Sequence, residues 1–181
     1  LDYVSDMLHI MGSFIVSSIR RRNLLRQLER MSYRDQLTQF GNRYAVDWFV
    51  EHEWNGEQIG VVYCDITGLK KVNDEQGHEA GDRLIIRACE CLAGVFKGYG
   101  LYRIGGDEFL VLCLGIEEKD LREHVEKLRM DMKEHQVTMA VGMIWKEHGP
   151  KDIDLLLNES ERLMYEDKDR YYKEHGLKRR R

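Results

Sequence analysis

Two adjacent carboxylates, Asp107 and Glu108, follow two adjacent glycines, Gly105 and Gly106, in the run Arg103-Ile104-Gly105-Gly106-Asp107-Glu108-Phe109. The apolar residues on either side predict short strands over 101–104 and 109–114, with the glycine pair marking a tight hairpin whose tip approaches a ligand closely. Carboxylates held side by side repel each other. A fold that keeps two together neutralises them with a cation or uses one in proton transfer. A solvated surface turn has the same composition, so the pentapeptide alone does not decide between the two.

A second group of residues upstream shifts the balance. The continuous apolar run over 59–64 has the character of a buried strand and ends abruptly at Asp65, a position suited to a metal ligand. The next seventeen positions, residues 66–82, are crowded with Gly, Lys, Asn and Asp. That composition suits a loop for phosphate and base. Backbone amides near Gly68, with Leu69 beside it, and the Lys70 ammonium can hold phosphates. Asn73 and Asp82 can satisfy a guanine edge, an amide donating to ring acceptors and a carboxylate accepting from its N–H groups.

With these residues in order, the chain resembles a GGDEF-family diguanylate cyclase domain. Asp35-Gln36-Leu37-Thr38 with Asn42-Arg43 resembles the opening motif, Asp65 through Asp82 the metal and nucleotide segment, and Gly105 through Phe109 the signature. Residues 137–142 resemble the late strand, and Tyr165-Glu166-Asp167-Lys168 the closing helix with its phosphate-binding lysine. The likeness covers residues 32–172. It implies an enzyme that condenses two GTP into cyclic di-GMP and pyrophosphate across a homodimer. The alternative is a degenerate domain that binds GTP and regulates a partner.

The resemblance also implies residue roles. Asp65, the Ile66 carbonyl, Asp107 and Glu108 would hold two Mg2+ or Mn2+ ions per active site, hard cations that prefer oxygen ligands. Asp107 or Glu108 would take the proton of the attacking 3'-hydroxyl; which of them does so stays open. Gly68, Leu69, Lys70, Asn73, Asp82, Gly105, Gly106 and Lys168 would bind the substrate. The pattern has departures: Thr67 and Gly68 replace a frequent Asp and His, Leu69 a frequent Phe, and Gln39-Phe40 the usual Gly-Leu. The Gly-Arg that often follows the closing lysine is absent. Where many members carry an Arg-x-x-Asp product-inhibition site, this chain has Phe96-Lys97-Gly98-Tyr99, so feedback through that site is expected to be missing.

The elements that must position these residues follow from periodicity. Leu84, Ile85, Ala88, Leu92 and Val95 lie on one face of a helix, and Leu121, Val125, Leu128 and Met132 on one face of another. A strand over 137–145 precedes a last helix over 153–171 that uses Ile153, Leu156, Leu157, Leu163 and Met164. Strand, helix, hairpin, helix, strand, helix is compatible with a split βαβ sheet layered with helices. The resemblance implies an α+β, palm-like nucleotidyl cyclase fold with a mostly antiparallel central sheet. Asp65 and the hairpin carboxylates would then sit on neighbouring strand ends.

Composition sets limits. The 181 residues can bury one sizeable core plus an appendage, and one proline with 33% charged residues indicates a helix-rich, well-solvated chain. A net charge of -4 argues against nonspecific nucleic-acid binding, so anionic substrates must be met locally by lysines and metal. Cys64, Cys89, Cys91 and Cys113 lack zinc-site spacing and read as reduced core thiols of a cytoplasmic protein.

Residues 1–31 differ in kind. Leu1, Val4, Leu8, Met11 and Ile15 keep a three-and-four spacing, Arg20-Arg21-Arg22-Asn23 interrupts it, and Leu24, Leu28 and Met31 resume it. The expectation is a signalling helix with a register shift that forms a parallel dimer seam; a helix packing on its own domain would show the same amphipathicity. It resembles the last helix of a GAF-type sensor, so an upstream sensor domain is expected. The apolar stretch over 7–19 is too short for a membrane span. The resulting division is a helix over 1–31, the cyclase domain over 32–175 and a basic tail over 176–181.

Overall fold

The computed structural model of the chain describes residue 7, residues 11–22, residue 24, residues 33–150 and residues 152–176. Contacts divide the chain into one unit up to Tyr33 and a second from Arg34 onward. In the first, residues 11–22 are helical (α1). Met11, Phe14, Ile15, Val16, Ile19 and Leu24 all carry exposed side chains there. Arg20, Arg21 and Arg22 continue the helix, with no break across the described part of the expected register shift. Of the expected seam and tail residues, Leu1, Val4, Leu8, Asn23, Leu28, Met31 and residues 178–181 lie outside the described residues. Among the described residues no helix is long and apolar enough to cross a membrane.

The second unit is built on β1 (Ile59–Ile66), β2 (Gly100–Arg103), β3 (Glu108–Leu114) and β4 (Met139–Lys146). They form one sheet in the order β2-β3-β1-β4, with every pairing antiparallel. All eight residues of β1 are buried, as expected of a strand enclosed by neighbours on both edges and by helices on both faces. Alternation splits its side chains between two clusters. Val62, Cys64 and Ile66 join α4 (His78–Val95) and α5 (Glu118–Glu134) on one face. Val61 and Tyr63 join α2 (Arg43–His52) and α6 (Asp154–Glu174) on the other. The helix faces expected from periodicity are the buried ones, through Leu84, Ile85, Ala88, Leu92 and Val95 in α4 and Leu121, Val125, Leu128 and Met132 in α5.

Two helices were not expected. Asn42 caps α2 by accepting from the Ala45 N–H at 3.1 Å, and the helix buries Val46 and Phe49. Residues expected as an open phosphate loop instead form α3 (Leu69–Gln76), a two-turn helix with only Leu69 fully buried, too short to show amphipathic periodicity. Gly68 and Gly77, at φ 87° and 83°, bracket it in the left-handed region where glycine carries no Cβ penalty.

Seating α6 depends on one glycine. A Cβ built on Gly142 of β4 would lie 2.0 Å from the Ser160 carbonyl oxygen and 2.3 Å from the Met164 nitrogen, both helix backbone. The strand thus admits the helix at backbone contact, and neither side can yield by turning a side chain. Gly142→Ala is therefore expected to lower the unfolding free energy by about 2–3 kcal/mol, the scale of an overpacked core. Gly106→Ala, where a Cβ meets nothing within 4 Å, should change it by less than about 0.5 kcal/mol. Urea denaturation of the two variants checks the contrast.

Candidate active site

Asp65, the penultimate residue of β1, pairs in register with Glu108, the first residue of β3. Directly opposed residues of an antiparallel pair place their side chains on one face, with Cβ atoms about 5 Å apart. Alternation puts that face under α6. Lys168 of α6 answers the charge: its Nζ donates to Asp65 Oδ1 at 2.6 Å, with the Lys168 side chain 14% and the Asp65 side chain 5% exposed. Asp65 is one of two buried polar residues named among the described part of the chain, the other being Ser160.

Glu108 is less well compensated. Burial raises its carboxyl above the ordinary 4.5, the charges of Asp107, Asp65 and Glu161 raise it further, and only Lys168 opposes them. Tyr63 and Tyr165, which share the neighbourhood, are also pushed up, by burial first and then by Glu108 and Glu161. This end of the sheet is a partly desolvated pool of negative charge, with Lys168 the cation that acts on both Glu108 and Tyr165.

The hairpin places its carboxylates by backbone bonds. Ile66 N–H donates to the Asp107 carbonyl at 2.9 Å and Ile104 N–H to the Glu108 carbonyl at 3.0 Å, tying the tip to the end of β1. Neither Gly105 nor Gly106 adopts a positive φ. A Cβ on Gly105 would come 2.5 Å from Glu108 Oε2, so a side chain there would push the flexible end of that carboxylate aside. Strand β3 begins at Glu108, one residue earlier than expected, since its pairing with Asp65 continues the ladder.

Arg103 and Asp35 brace the tip from the β2 side, a role that sequence reading did not assign. Arg103 donates from its terminal nitrogen to the Gly106 carbonyl at 2.7 Å and from its other terminal nitrogen to Asp35 Oδ1 at 3.1 Å. Burial opposes ionisation of Asp35, but bonds from the Thr38 hydroxyl and N–H and from Arg103 hold its carboxyl below the usual value. The sequence signal was the Asp-x-x-Thr turn, which the structure shows as an Asp35 cap on Thr38 at 2.7 and 2.9 Å.

The expected nucleotide segment divides. Leu69 buries its side chain in the core, leaving only its backbone for a ligand, while Lys70 is exposed on α3. Gly68 gives α3 no side-chain cap, so no side chain at that position takes up the first-turn N–H groups. Asn73 rests its side-chain oxygen over Gly81, where a Cβ would come within 1.9 Å, and so stands beside Asp82, which is exposed on α4. Phe96, in the expected gap of the feedback motif, is wholly buried in the core.

The donor types suit a divalent ion. Among the described residues no three His, Cys, Asp or Glu side chains already stand together in a metal-holding group. Mg2+ seldom needs one, since it binds through one or two carboxylates and takes its other ligands from water and substrate phosphates. Asp65 and Glu108, opposed and short of positive charge, meet that requirement.

Comparison with known proteins fits this geometry. The family described as diguanylate cyclase, GGDEF domain matches residues 32–173. The bifunctional diguanylate cyclase/cyclic di-GMP phosphodiesterase MucR of Pseudomonas aeruginosa is 29% identical over 172 residues, covering 87% of this chain and 25% of that protein. Diguanylate cyclase DgcP of Escherichia coli is 26% identical over 185 residues, covering 90% of this chain and 54% of that protein. The chain thus spans from a quarter to about half of these relatives. Among solved structures, the coiled coil and GGDEF domain of DgcB from Caulobacter crescentus, in complex with c-di-GMP, superposes with a TM-score of 0.67 at 20% identity, over 92% of this chain and 94% of that one. At that identity the likeness speaks for the fold, a helix-flanked antiparallel sheet.

The raised Glu108 carboxyl makes stability pH-dependent. A folded-state pKa above the unfolded one costs stability at high pH; the cost appears as pH rises from about 4.5 through the folded value and is absent below that range. In metal-free buffer, Glu108→Gln is expected to melt above wild type at pH 7 to 8, with the gap closing below pH 4.5. A gap that persists unchanged in acid assigns the gain to packing instead. Differential scanning calorimetry across the range decides.

Proposed function

The chain belongs to the diguanylate cyclase GGDEF domain family, and from that membership we propose that it condenses two GTP into cyclic di-GMP, releasing two pyrophosphates. In each half-reaction the 3'-oxygen of one GTP bonds to the α-phosphorus of the other. The bond to pyrophosphate breaks, and the hydroxyl proton passes to a base. The observation that carries the proposal is the in-register apposition of Asp65 and Glu108 beneath Lys168. A stable sheet end does not need two opposed carboxylates, one buried and one half-buried, whereas a site for a divalent cation does.

Asp65, Glu108, Asp107 and the Ile66 carbonyl would hold Mg2+ or Mn2+, two per site. When bound, the ion supplies positive charge to the α-phosphate and departing pyrophosphate and acidifies the attacking hydroxyl. The remaining work falls to the chain itself. Asp107 or Glu108 would accept the proton of the attacking hydroxyl. The open first turn of α3, Gly68 and Lys70 face the triphosphate, joined by Lys168 and the uncrowded backbone at Gly105 and Gly106. Asn73 and Asp82, brought side by side over Gly81, offer a donor and a carboxylate to the guanine edge.

A site of this kind holds one GTP, so the product needs two facing sites and a homodimer. The exposed apolar residues of α1, Phe14 and Ile19 among them, support a helix that pairs with a second copy. Whole-protein partners, an upstream sensor and a cytoplasmic location belong to the same proposal.

Incubating the chain with GTP and Mg2+ should yield cyclic di-GMP, and Asp65→Ala or Glu108→Ala should cut the rate by about 10²- to 10³-fold or more. ATP should be a poor substrate, because adenine presents a lone pair where guanine has its N1–H, leaving Asp82 without a donor. Asp82→Ala should narrow that preference. GTP binding without product, in Mg2+ and in Mn2+, would instead make the chain a regulatory GTP-binding domain. On dilution the rate per chain should fall as dimers part; a constant rate over a wide range excludes the dimer requirement.

A further inference from the structure

We propose that Lys168 is the resident counter-ion of Asp65 in the metal-free protein, and that a divalent ion must displace it, freeing the ammonium for the nucleotide phosphates as the metal enters. This rests on the proposed role of Asp65 as a metal ligand. It adds that two cationic partners share one carboxylate in turn.

A buried carboxylate without a partner is costly, and the structure sets against that cost the charge-assisted bond from Lys168 Nζ to Asp65 Oδ1 at 2.6 Å. With Lys168 in that place, the described carboxylates do not assemble into a three-donor group. An ammonium and a divalent ion cannot both sit against Asp65 without mutual repulsion in a partly desolvated site. The ion carries twice the charge, so it takes the carboxylate and the ammonium leaves.

The exchange is a side-chain motion because the helix itself is pinned. Asp167, the preceding residue, accepts from the Val141 N–H of β4 at 2.9 Å and from Arg129 of α5 at 3.3 Å. Its neighbour Lys168 is free to swing on a four-carbon stem with rotatable donors, the reach that distinguishes lysine from arginine. Metal arrival would then switch on a phosphate-binding cation that is otherwise occupied.

The test uses the full chain without nucleotide and reads free Mn2+ by electron paramagnetic resonance during titration. Lys168→Met should bind Mn2+ about tenfold or more tightly than wild type, and Lys168→Arg, which keeps a cation at Asp65, should stay near wild type. In EDTA, GTP should bind wild type and Lys168→Met alike, because Lys168 is held by Asp65; with Mn2+ present the Met variant should bind GTP several-fold more weakly. Unchanged or weaker Mn2+ binding by a Lys168→Met protein with wild-type circular dichroism overturns the exchange. So does a loss of GTP affinity that is equal with and without metal. If none of the three proteins binds Mn2+, the metal-ligand role of Asp65 fails together with the exchange, an outcome distinct from equal binding by all three.

Discussion

Everything at the working end of this sheet answers to one repulsion, that between Asp65 and Glu108. At about 5 Å and an effective dielectric of about 20, two such charges oppose each other by roughly 3 kcal/mol. An exposed ion pair, worth about 0–1 kcal/mol, would not offset that. The compensating cation therefore has to be half-buried and close, and Lys168 is both. For Lys168 to reach Asp65, α6 must lie on β4 with almost no gap, which Gly142 permits. The helix must also hold its register, which the Asp167 bonds to Val141 and Arg129 secure. A local electrostatic demand thus dictates a glycine on one strand and a half-buried carboxylate on one helix, Gly142 and Asp167.

The hairpin meets a different demand. Its tip must carry carboxylates without collapsing onto them, and Gly105, at an ordinary backbone angle, leaves the Glu108 carboxylate its place. Rigidity comes from outside, through Arg103 gripping the Gly106 carbonyl while its other end is held by Asp35. Arg103 lies 68 residues from Asp35 in sequence, and its one guanidinium joins the opening turn to the hairpin tip. Such a planar, multi-donor group can hold a carbonyl and a carboxylate at once, which a lysine could not.

Much of this was legible in the sequence, for identifiable reasons. Buried strands and long helices write their periodicity into four or more apolar positions, so β1, α4 and α5 were visible in outline. The antiparallel placement of Asp65 beside the hairpin followed from the family resemblance that the motifs around them carry. Short elements leave too few marks: α3 offers only Leu69 and Val72, and its lysines and asparagine read as loop composition. α2 went unread although its Asn42 cap was in view. Long-range pairs were illegible because nothing local to Asp65 announces a lysine 103 residues away, or to Arg103 an aspartate in the opening turn. Gly142 looked like one more strand residue until a helix was laid across it.

The four cysteines carry a practical consequence. All are free and buried, and burial pushes Cys64, Cys89 and Cys113 up to about 12 and Cys91 to about 11. Since the thiolate is the reactive form, near neutral pH each presents on the order of one part in ten thousand or fewer as nucleophile, inside a core that reagents do not enter. The native chain is therefore chemically silent toward maleimides and similar probes while folded. One cysteine introduced on an exposed helix face would carry a fluorophore or spin label by itself, with no need for a cysteine-free background.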